Sequence, residues 1–406
     1  MKRKRTNLLL IAVATIIHIF FYISAFDFHF LDYFFNLGDF RIYQGIDFFQ
    51  VPNGAYMFLR GASLTGASLA NLPTYAYGNY NVYHPFFTLL VGSFFILFTP
   101  HNAFITMMII KIVITLFTIY FLYKNFSKNP YFPIALFIFL TFFPQYLELW
   151  SGQYHFFLTI SLLFLLYYLL KNKKDTLLSG FLLFLNLLIK PIGFLWIPIC
   201  ILNKKWKTLI FGISLFFVVT IPFLINKTGN YFVDNLIERF RSPIGGPPQV
   251  FTLDAIARFY NFSFYNGTLV KGFILLLFLY LIIRYRISLF SSLFIMTSFY
   301  LLFYDLVFEY HYTVLIPFFV LGILVNKIFR NKLAIILILS FSFPTPFFIF
   351  HFFQTFTKEY FMADQGWTII VLFRILPLIV LTILVLTKEI KNYFKSPQQL
   401  ELQNIR

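Results

Sequence analysis

An all-α polytopic bundle of about 11–13 membrane spans, with two larger exoplasmic loops, is the fold class that the sequence predicts. Three observations carry it. Of the 406 residues, 60% are hydrophobic and 12% charged, whereas an average soluble domain carries roughly 25% charged residues. Apolar runs of the roughly 17–25 residues needed to cross a bilayer recur along the chain. The basic residues behind the net charge of +17 sit in short clusters between those runs, where the positive-inside rule places them. The charge therefore reads as membrane orientation and not as nucleic-acid binding. The single Cys200 lies in an apolar run and allows no intrachain disulfide. With no fixed internal repeat and no segment resembling a soluble domain, residues 1–406 read as one integral membrane domain.

The elements follow in order. Lys2-Arg3-Lys4-Arg5 precede an apolar run from Leu8 to Phe26. That run is longer than the roughly 7–15 residues of a signal-peptide core and ends without a small-residue cleavage site. It predicts an uncleaved anchor in the plasma (inner) membrane with a cytoplasmic N-terminus. Residues 27–83 form the first exoplasmic loop. A loop well beyond about 15 residues is usually functional or disordered, and Tyr75, Tyr77, Tyr80 and Tyr83 within it argue against disorder.

Pro85–Phe98, Ala103–Tyr123 and Tyr131–Leu147 come next. As three crossings they put Asp39 and Gly152 on opposite faces, while Lys124 and Lys128 mark a cytoplasmic loop. One of these early segments must therefore be re-entrant, interfacial or split, and Lys111, inside an apolar run, predicts a break there. Later spans are expected near Tyr154–Leu170, Thr176–Leu188, Ile192–Leu202, Leu209–Ile225, Leu269–Ile283, Ser288–Phe303, Tyr312–Val325, Leu333–Phe350 and Thr368–Leu386. Basic clusters at Lys171–Lys174, Lys204–Lys207, Arg284–Arg286, Lys327–Lys332 and Lys388–Lys391 orient them. Residues 226–268 are left as a second exoplasmic loop.

Four groups of residues offer chemistry. Gly38-Asp39-Phe40-Arg41-Ile42-Tyr43 places a carboxylate at the membrane surface. A hydroxyl that attacks a sugar needs such a group to take its proton. On residues alone Asp27, Asp32 and Asp47 are equally open to that role, and the loop's aromatics serve equally as a sugar platform or an interfacial belt. Gln153 and His155, in Trp150-Ser151-Gly152-Gln153-Tyr154-His155, bring neutral hydrogen-bonding groups to a turn between two spans. Lys190-Pro191 sets a cation at a helix break, where an intramembrane charge is a functional-site hypothesis by default. Arg241 and Arg258 lie in the second loop, where guanidinium forks suit phosphate oxygens. Glu309 and His311 begin a late helix but make no metal site by themselves.

Taken in order, the anchor, the loop with Gly38-Asp39-Phe40-Arg41-Ile42-Tyr43, and Tyr83-His84-Pro85-Phe86 resemble the start of the GT-C glycosyltransferases. Gly152-Gln153-Tyr154-His155, Lys190-Pro191 and the basic turns resemble glycosyltransferase family 87, the polyprenyl-phosphate-mannose-dependent branch. The resemblance covers about residues 1–210 and returns at Glu309-Tyr310-His311. It implies an inverting enzyme that moves a hexose, mannose-like, from a polyprenyl-phosphate sugar to a lipid or glycan acceptor outside the cytoplasm, among membrane lipids and without a metal or cofactor. The family's loop aspartate falls on Asp39 as general base. Arg41, Tyr43, Tyr83, His84, Gln153, His155, Lys190, Arg241, Arg258, Glu309 and His311 fall to substrate binding. His84 stands where the family often has proline.

A transporter or flippase of lipid-linked sugars is the alternative class, since it too would use intramembrane charges such as Lys111, Glu148, Lys190, Asp305 and Arg374. The related halves common among transporters are not visible. The orientation has a direct check in a Cys200→Ala background. Cysteines placed at Asn53 and Gly245 should react with an impermeant reagent from outside, and those at Lys173 and Asn331 only after permeabilisation. Labelling of Asn53 and Gly245 from opposite sides would separate the two loops.

Overall fold

A computed structural model of the chain describes residues 2–28, 30–31, 45–60, 83–171, 175–190, 192–225, 250–260, 267–304, 307–346 and 365–404. Among the described residues the regular structure is helical throughout. Inside a bilayer no water is present to satisfy backbone groups, so a chain of this composition has helices as its route across.

The helices are α1 Lys2–Ile23, α2 Ile46–Leu59, α3 Pro85–Phe95, α4 Pro100–Phe126, α5 Phe132–Thr141, α6 Pro144–Ser151, α7 His155–Lys171, α8 Leu177–Ile189, α9 Ile192–Leu202 and α10 Trp206–Ile225. There follow α11 Leu253–Phe259, α12 Gly267–Arg284, α13 Leu289–Phe303, α14 Ile316–Val325, α15 Lys332–Ser340 and α16 Gln365–Asn404. Five segments are long and apolar enough to span a membrane: Asn7–Phe26, Pro100–Phe126, Trp206–Ile225, Gly267–Arg284 and Thr368–Lys395. The pair α5 and α6 makes a sixth, broken span bent by 43°. Shorter apolar helices occupy the remaining predicted span positions from α3 onward except Leu333–Phe350, where the described helix is the nine-residue α15.

The layering follows from hydrophobicity. Long helices lie outside, with Leu269, Phe273 and Leu276 of α12 exposed where lipid tails would cover them. Every residue from Phe290 to Phe303 of α13 is buried, as are Ile316–Leu324 of α14. A helix that is apolar on all sides is a core helix. Proline opens several elements, at Pro85, Pro100, Pro133, Pro144 and Pro317, where its missing N–H costs nothing.

Two expectations change. Lys111 causes no break: α4 runs through it from Pro100 to Phe126. The ammonium is fully buried and neutralised across the bundle by Glu148, 3.0 Å away, so the helix has no need to open toward water. The discontinuity falls instead between α5 and α6, where Phe142 is extended. The freed backbone groups there find new partners, since Phe143 N–H donates to the Phe341 carbonyl at 3.0 Å and Gln145 Nε2 donates to that of Phe139 at 2.5 Å. The first loop also holds structure of its own in α2, which buries Asn53 to 1% exposure. Arg60, exposed at the end of that helix, is therefore the better labelling position for this loop.

Helix α2 lies against α3 at one point of closest approach. A Cβ on Gly92 would stand 2.5 Å from the Val51 carbonyl oxygen and 2.6 Å from Ala55 Cβ. Backbone on the far side cannot rotate away. Gly92→Val should thus cost about 1–3 kcal/mol, typical of overpacking, and lower the apparent melting temperature in detergent. Gly272→Val, at a glycine with no atom within 4 Å of its Cβ position, is the control and should change little. Equal melting of the two variants would show that α2 is not held by this contact.

Candidate functional site

Several chain breaks converge on one polar cluster: the start of α3, the turn between α6 and α7, the break between α8 and α9, and the 3-10 turn Glu309–Leu315. Tyr83, just before α3, donates its hydroxyl to Gln153 Oε1 at 2.7 Å. With its oxygen so engaged, the Gln153 amide turns its NH2 group toward Asp47 near the start of α2. The Asp47 carboxylate accepts from Gln153 and also from Gln50 Nε2 at 2.7 Å. Lys190 caps α8 in an extended conformation (φ −152°, ψ 150°), as a residue before proline prefers. Its Nζ lies 5.4 Å from the centre of the Tyr83 ring.

Two imidazoles pair nearby. The rings of His155 and His311 are 4.2 Å apart at 73°, and Tyr310 lies 5.4 Å from His155. His311 Nδ1 accepts from Phe308 N–H at 3.0 Å, which leaves its Nε2 as the protonated nitrogen. His155 Nδ1 is buried and has no hydrogen-bond partner among the described residues.

Glycine geometry sets α2 beside the turn. Gly152 closes α6 with φ +68°, and a Cβ there would meet Phe48 Cβ at 2.6 Å. Gly45, with φ +73°, donates its N–H to the Trp150 carbonyl at 2.9 Å. These two left-handed glycines face each other, so α2 begins directly on the turn and Asp47 arrives next to Gln153. The turn itself is tied by Lys111, whose Nζ donates to Glu148 Oε1 at 3.0 Å and to the Gln153 carbonyl at 2.8 Å. Glu148 Oε1 in turn accepts Phe156 N–H at 2.9 Å.

The electrostatics single out Asp47. Although one edge of the residue remains partly exposed, the surrounding protein desolvates its carboxyl and raises its pKa to about 6, against the opposing pull of the Gln153 hydrogen bond, the Lys190 charge and Gln50. Two predicted residues turn out to hold the scaffold. His84 caps α3, with Nδ1 accepting from Phe86 N–H at 3.2 Å and Nε2 bonded to Thr220 Oγ1 at 2.9 Å, which is how an imidazole replaces proline before Pro85. Glu309 is paired with Arg374 of α16 at 2.7 Å and also accepts from Thr345. Asp39, Arg41, Tyr43 and Arg241 lie outside the described residues, as does the side chain of Arg258 near the end of α11. The α11 region docks beside the 3-10 turn, where Tyr312 donates to the Phe251 carbonyl at 3.1 Å.

Asp47, Gln50 and Tyr310 were not singled out by sequence spacing. The available signal was the pair of charges Lys111 and Glu148 inside apolar runs, which ties the 148–156 turn to the core and so marks it as a constructed feature.

The sequence profile of glycosyltransferase family 87 matches residues 81–304, more than half of the 406-residue chain. The chain belongs to glycosyltransferase family 87. No curated protein gives a significant match to it. As a family 87 protein it is a multi-pass membrane glycosyltransferase. The match takes in Tyr83, Gln153, His155 and Lys190, while Asp47 and the Tyr310-His311 pair join them from outside it through folding.

This family 87 site depends on the Lys111–Glu148 tie. Lys111→Met strands Glu148 without a counter-charge in the interior, a change that costs about 3–5 kcal/mol. The apparent melting temperature and glycosyl transfer should fall together. Adding Glu148→Gln removes the stranded charge and should recover most of the stability. If the double variant melts no higher than Lys111→Met alone, charge is not what couples the two residues.

Proposed function

We propose that the protein transfers a hexose, mannose-like, from a polyprenyl-phosphate sugar to a lipid or glycan acceptor on the exoplasmic side, with inversion at the anomeric carbon. The observation that carries this reading is an apolar groove whose lining residue Ile189 is followed directly by the cation Lys190. A cavity of about 510 Å³ opens between α3, α4, α7 and α8, lined by Phe87, Phe94, Ile114, Phe157 and Ile189 among others. Ile189 precedes Lys190, and the Phe87 ring lies 5.6 Å from that of Tyr83. A lysine next in sequence to the wall of an oily groove suits a phosphate carried on an isoprenoid tail. A soluble nucleotide-sugar would leave the groove without a purpose.

In the reaction the acceptor oxygen attacks the anomeric carbon from the face opposite the phosphate. The bond from that carbon to the phosphate oxygen breaks, and its electron pair leaves with the phosphate. Asp39 takes the acceptor's proton, while Lys190 holds the phosphate oxygens with Arg258 or Arg241. Fixed positive charge aimed at the developing charge lowers the barrier without reorganisation at the moment of reaction. Gln153, His155 and His311 supply neutral hydrogen-bonding atoms suited to sugar hydroxyls, and Arg41 and Tyr43 extend the binding surface beside Asp39.

The test is purified protein in lipid nanodiscs, given radiolabelled polyprenyl-phosphate sugars and membrane lipid extract. Label should move to an acceptor with the opposite anomeric configuration. Asp39→Asn keeps the shape but not the basicity, and should slow transfer by roughly 10²–10⁴-fold with donor binding retained. Lys190→Ala should instead weaken donor use by about 2–5 kcal/mol. Near-normal turnover by Asp39→Asn would remove it as base, and retained label with every polyprenyl-phosphate sugar would remove the donor class.

A further inference from the structure

The end of α12 and the far end of α16 meet in a corner rich in cations. Helix α12 closes in a Schellman turn, in which Ile287 N–H donates to the Ile282 carbonyl at 3.1 Å and Arg286 N–H to that of Ile283 at 3.3 Å. The left-handed position of such a turn ordinarily holds glycine. Here it is Arg286, with φ +47°. Strain of this kind persists where the side chain serves an end that glycine cannot. Arg284 lies over the Tyr285 ring at 5.9 Å, and that ring packs against Tyr393 and Phe394 of α16, at 5.7 and 5.9 Å.

On α16, Lys388, Lys391 and Lys395 follow at spacings of three and four, which puts them on one face of the helix. All three are exposed, as are Arg284 and Arg286, and none of these cations makes an ion pair among the described residues. Glu389, the acidic residue in their midst, is occupied by hydroxyls: its Oε1 accepts from Ser288 at 2.6 Å and from Ser291. Beside the lysines runs an exposed apolar line of Leu376, Val380, Ile383 and Phe394. The span Thr368–Lys395 has 28 residues, about 42 Å of helix against about 30 Å of hydrocarbon. Its lysine end therefore reaches the headgroup layer.

We propose that this corner binds an anionic phospholipid, with the headgroup phosphate among Arg284, Arg286 and the α16 lysines and the acyl chains along the line from Phe394 to Leu376. Clusters of roughly four to eight basic residues just beyond a membrane helix attract anionic lipid, and guanidinium forks fit phosphate oxygens. A free phosphate ion would leave Phe394, 59% exposed, uncovered, whereas an amphiphile meets both the charge and the apolar line. The corner is separate from the site described above. Arg374, which holds Glu309 of the 3-10 turn, lies about 25 Å from Lys391 along the axis of α16. The inference therefore stands whether or not the sugar donor is lipid-linked.

The experiment is native mass spectrometry of the full chain in mild detergent, incubated with equimolar phosphatidylglycerol and phosphatidylcholine of the same acyl chains. A basic residue near an anionic surface is worth roughly five-fold in binding, so wild-type protein should retain phosphatidylglycerol over phosphatidylcholine by about ten-fold or more. Arg284→Gln together with Arg286→Gly should bring that ratio close to one. Glycine suits the left-handed turn, so the melting temperature of this double variant should not fall. Lys124→Gln together with Lys128→Gln removes the same charge from the end of α4 and should keep the wild-type ratio. A wild-type ratio near one overturns the proposal, as does a ratio that survives loss of both arginines. Equal loss in the two double variants would make net charge the cause, and loss accompanied by lower melting would make it the turn; either result overturns the proposal as well.

Discussion

A lysine ammonium lies fully buried midway along the apolar helix α4, and Glu148 answers it at 3.0 Å. Moving either ion alone out of water costs several kcal/mol even after relaxation, so each requires the other. The constraint reaches further than the pair. Lys111 also holds the Gln153 carbonyl at 2.8 Å, and Glu148 holds Phe156 N–H at 2.9 Å. Backbone that would be unsatisfied between α6 and α7 is thereby closed into one tight turn. On that turn rest Gln153, His155 and the glycine contact that brings α2 to the site.

The same device appears a second time. Glu309 begins the 3-10 turn that carries Tyr310 and His311, and Arg374 of α16 holds it at 2.7 Å. Arg374 also donates to the Phe343 carbonyl at 2.9 Å. Each imidazole of the His155–His311 pair thus sits next to an irregular turn fixed by a buried ion pair with a long helix. Non-helical backbone at membrane depth is tolerated where protein surrounds it or where it lines a cavity. Here protein surrounds it, with Gln153, Tyr154, Glu309, His311 and Tyr312 all buried, and the loose ends of several elements meet at one site.

Much of this was legible in the sequence, and the exceptions share a cause. The predicted spans from residue 154 onward coincide with α7–α10 and α12–α14 to within a few residues, whereas α15 stops at Ser340 where the expected span ran to Phe350 and α16 continues to Asn404 where the expected span ended at Leu386. Runs of apolar residues between basic clusters leave little freedom. The break at Lys190 was legible because proline forces it locally. Lys111 misled because a charge in an apolar run reads as a break when its partner, 37 positions away, is invisible. Asp47 was one of four equivalent loop aspartates until folding set Gln50, Gln153 and Lys190 around it. Local rules fix where helices start and stop, whereas the pairing of charges is a property of the assembled bundle.

The atoms left open in the cluster are as informative as those that are paired. Tyr83, Gln153, Gln50 and Asp47 are linked by hydrogen bonds, which makes that side of the site a rigid wall, although Gln50 Oε1 is itself buried without a partner among the described residues. Across it, His155 Nδ1 is buried without a partner among the described residues, a deficit that ordinarily costs about 1–3 kcal/mol. A folded core would normally remove such a cost by substitution or by a bonded neighbour. On the proposed function, a sugar hydroxyl supplies the partner that the His155 nitrogen lacks. Polar groups pre-aimed and partly unsatisfied in a low-dielectric site interact more strongly with an incoming polyol than the same groups would in water. On the proposed function, the stability given up at His155 is offset when a sugar hydroxyl binds.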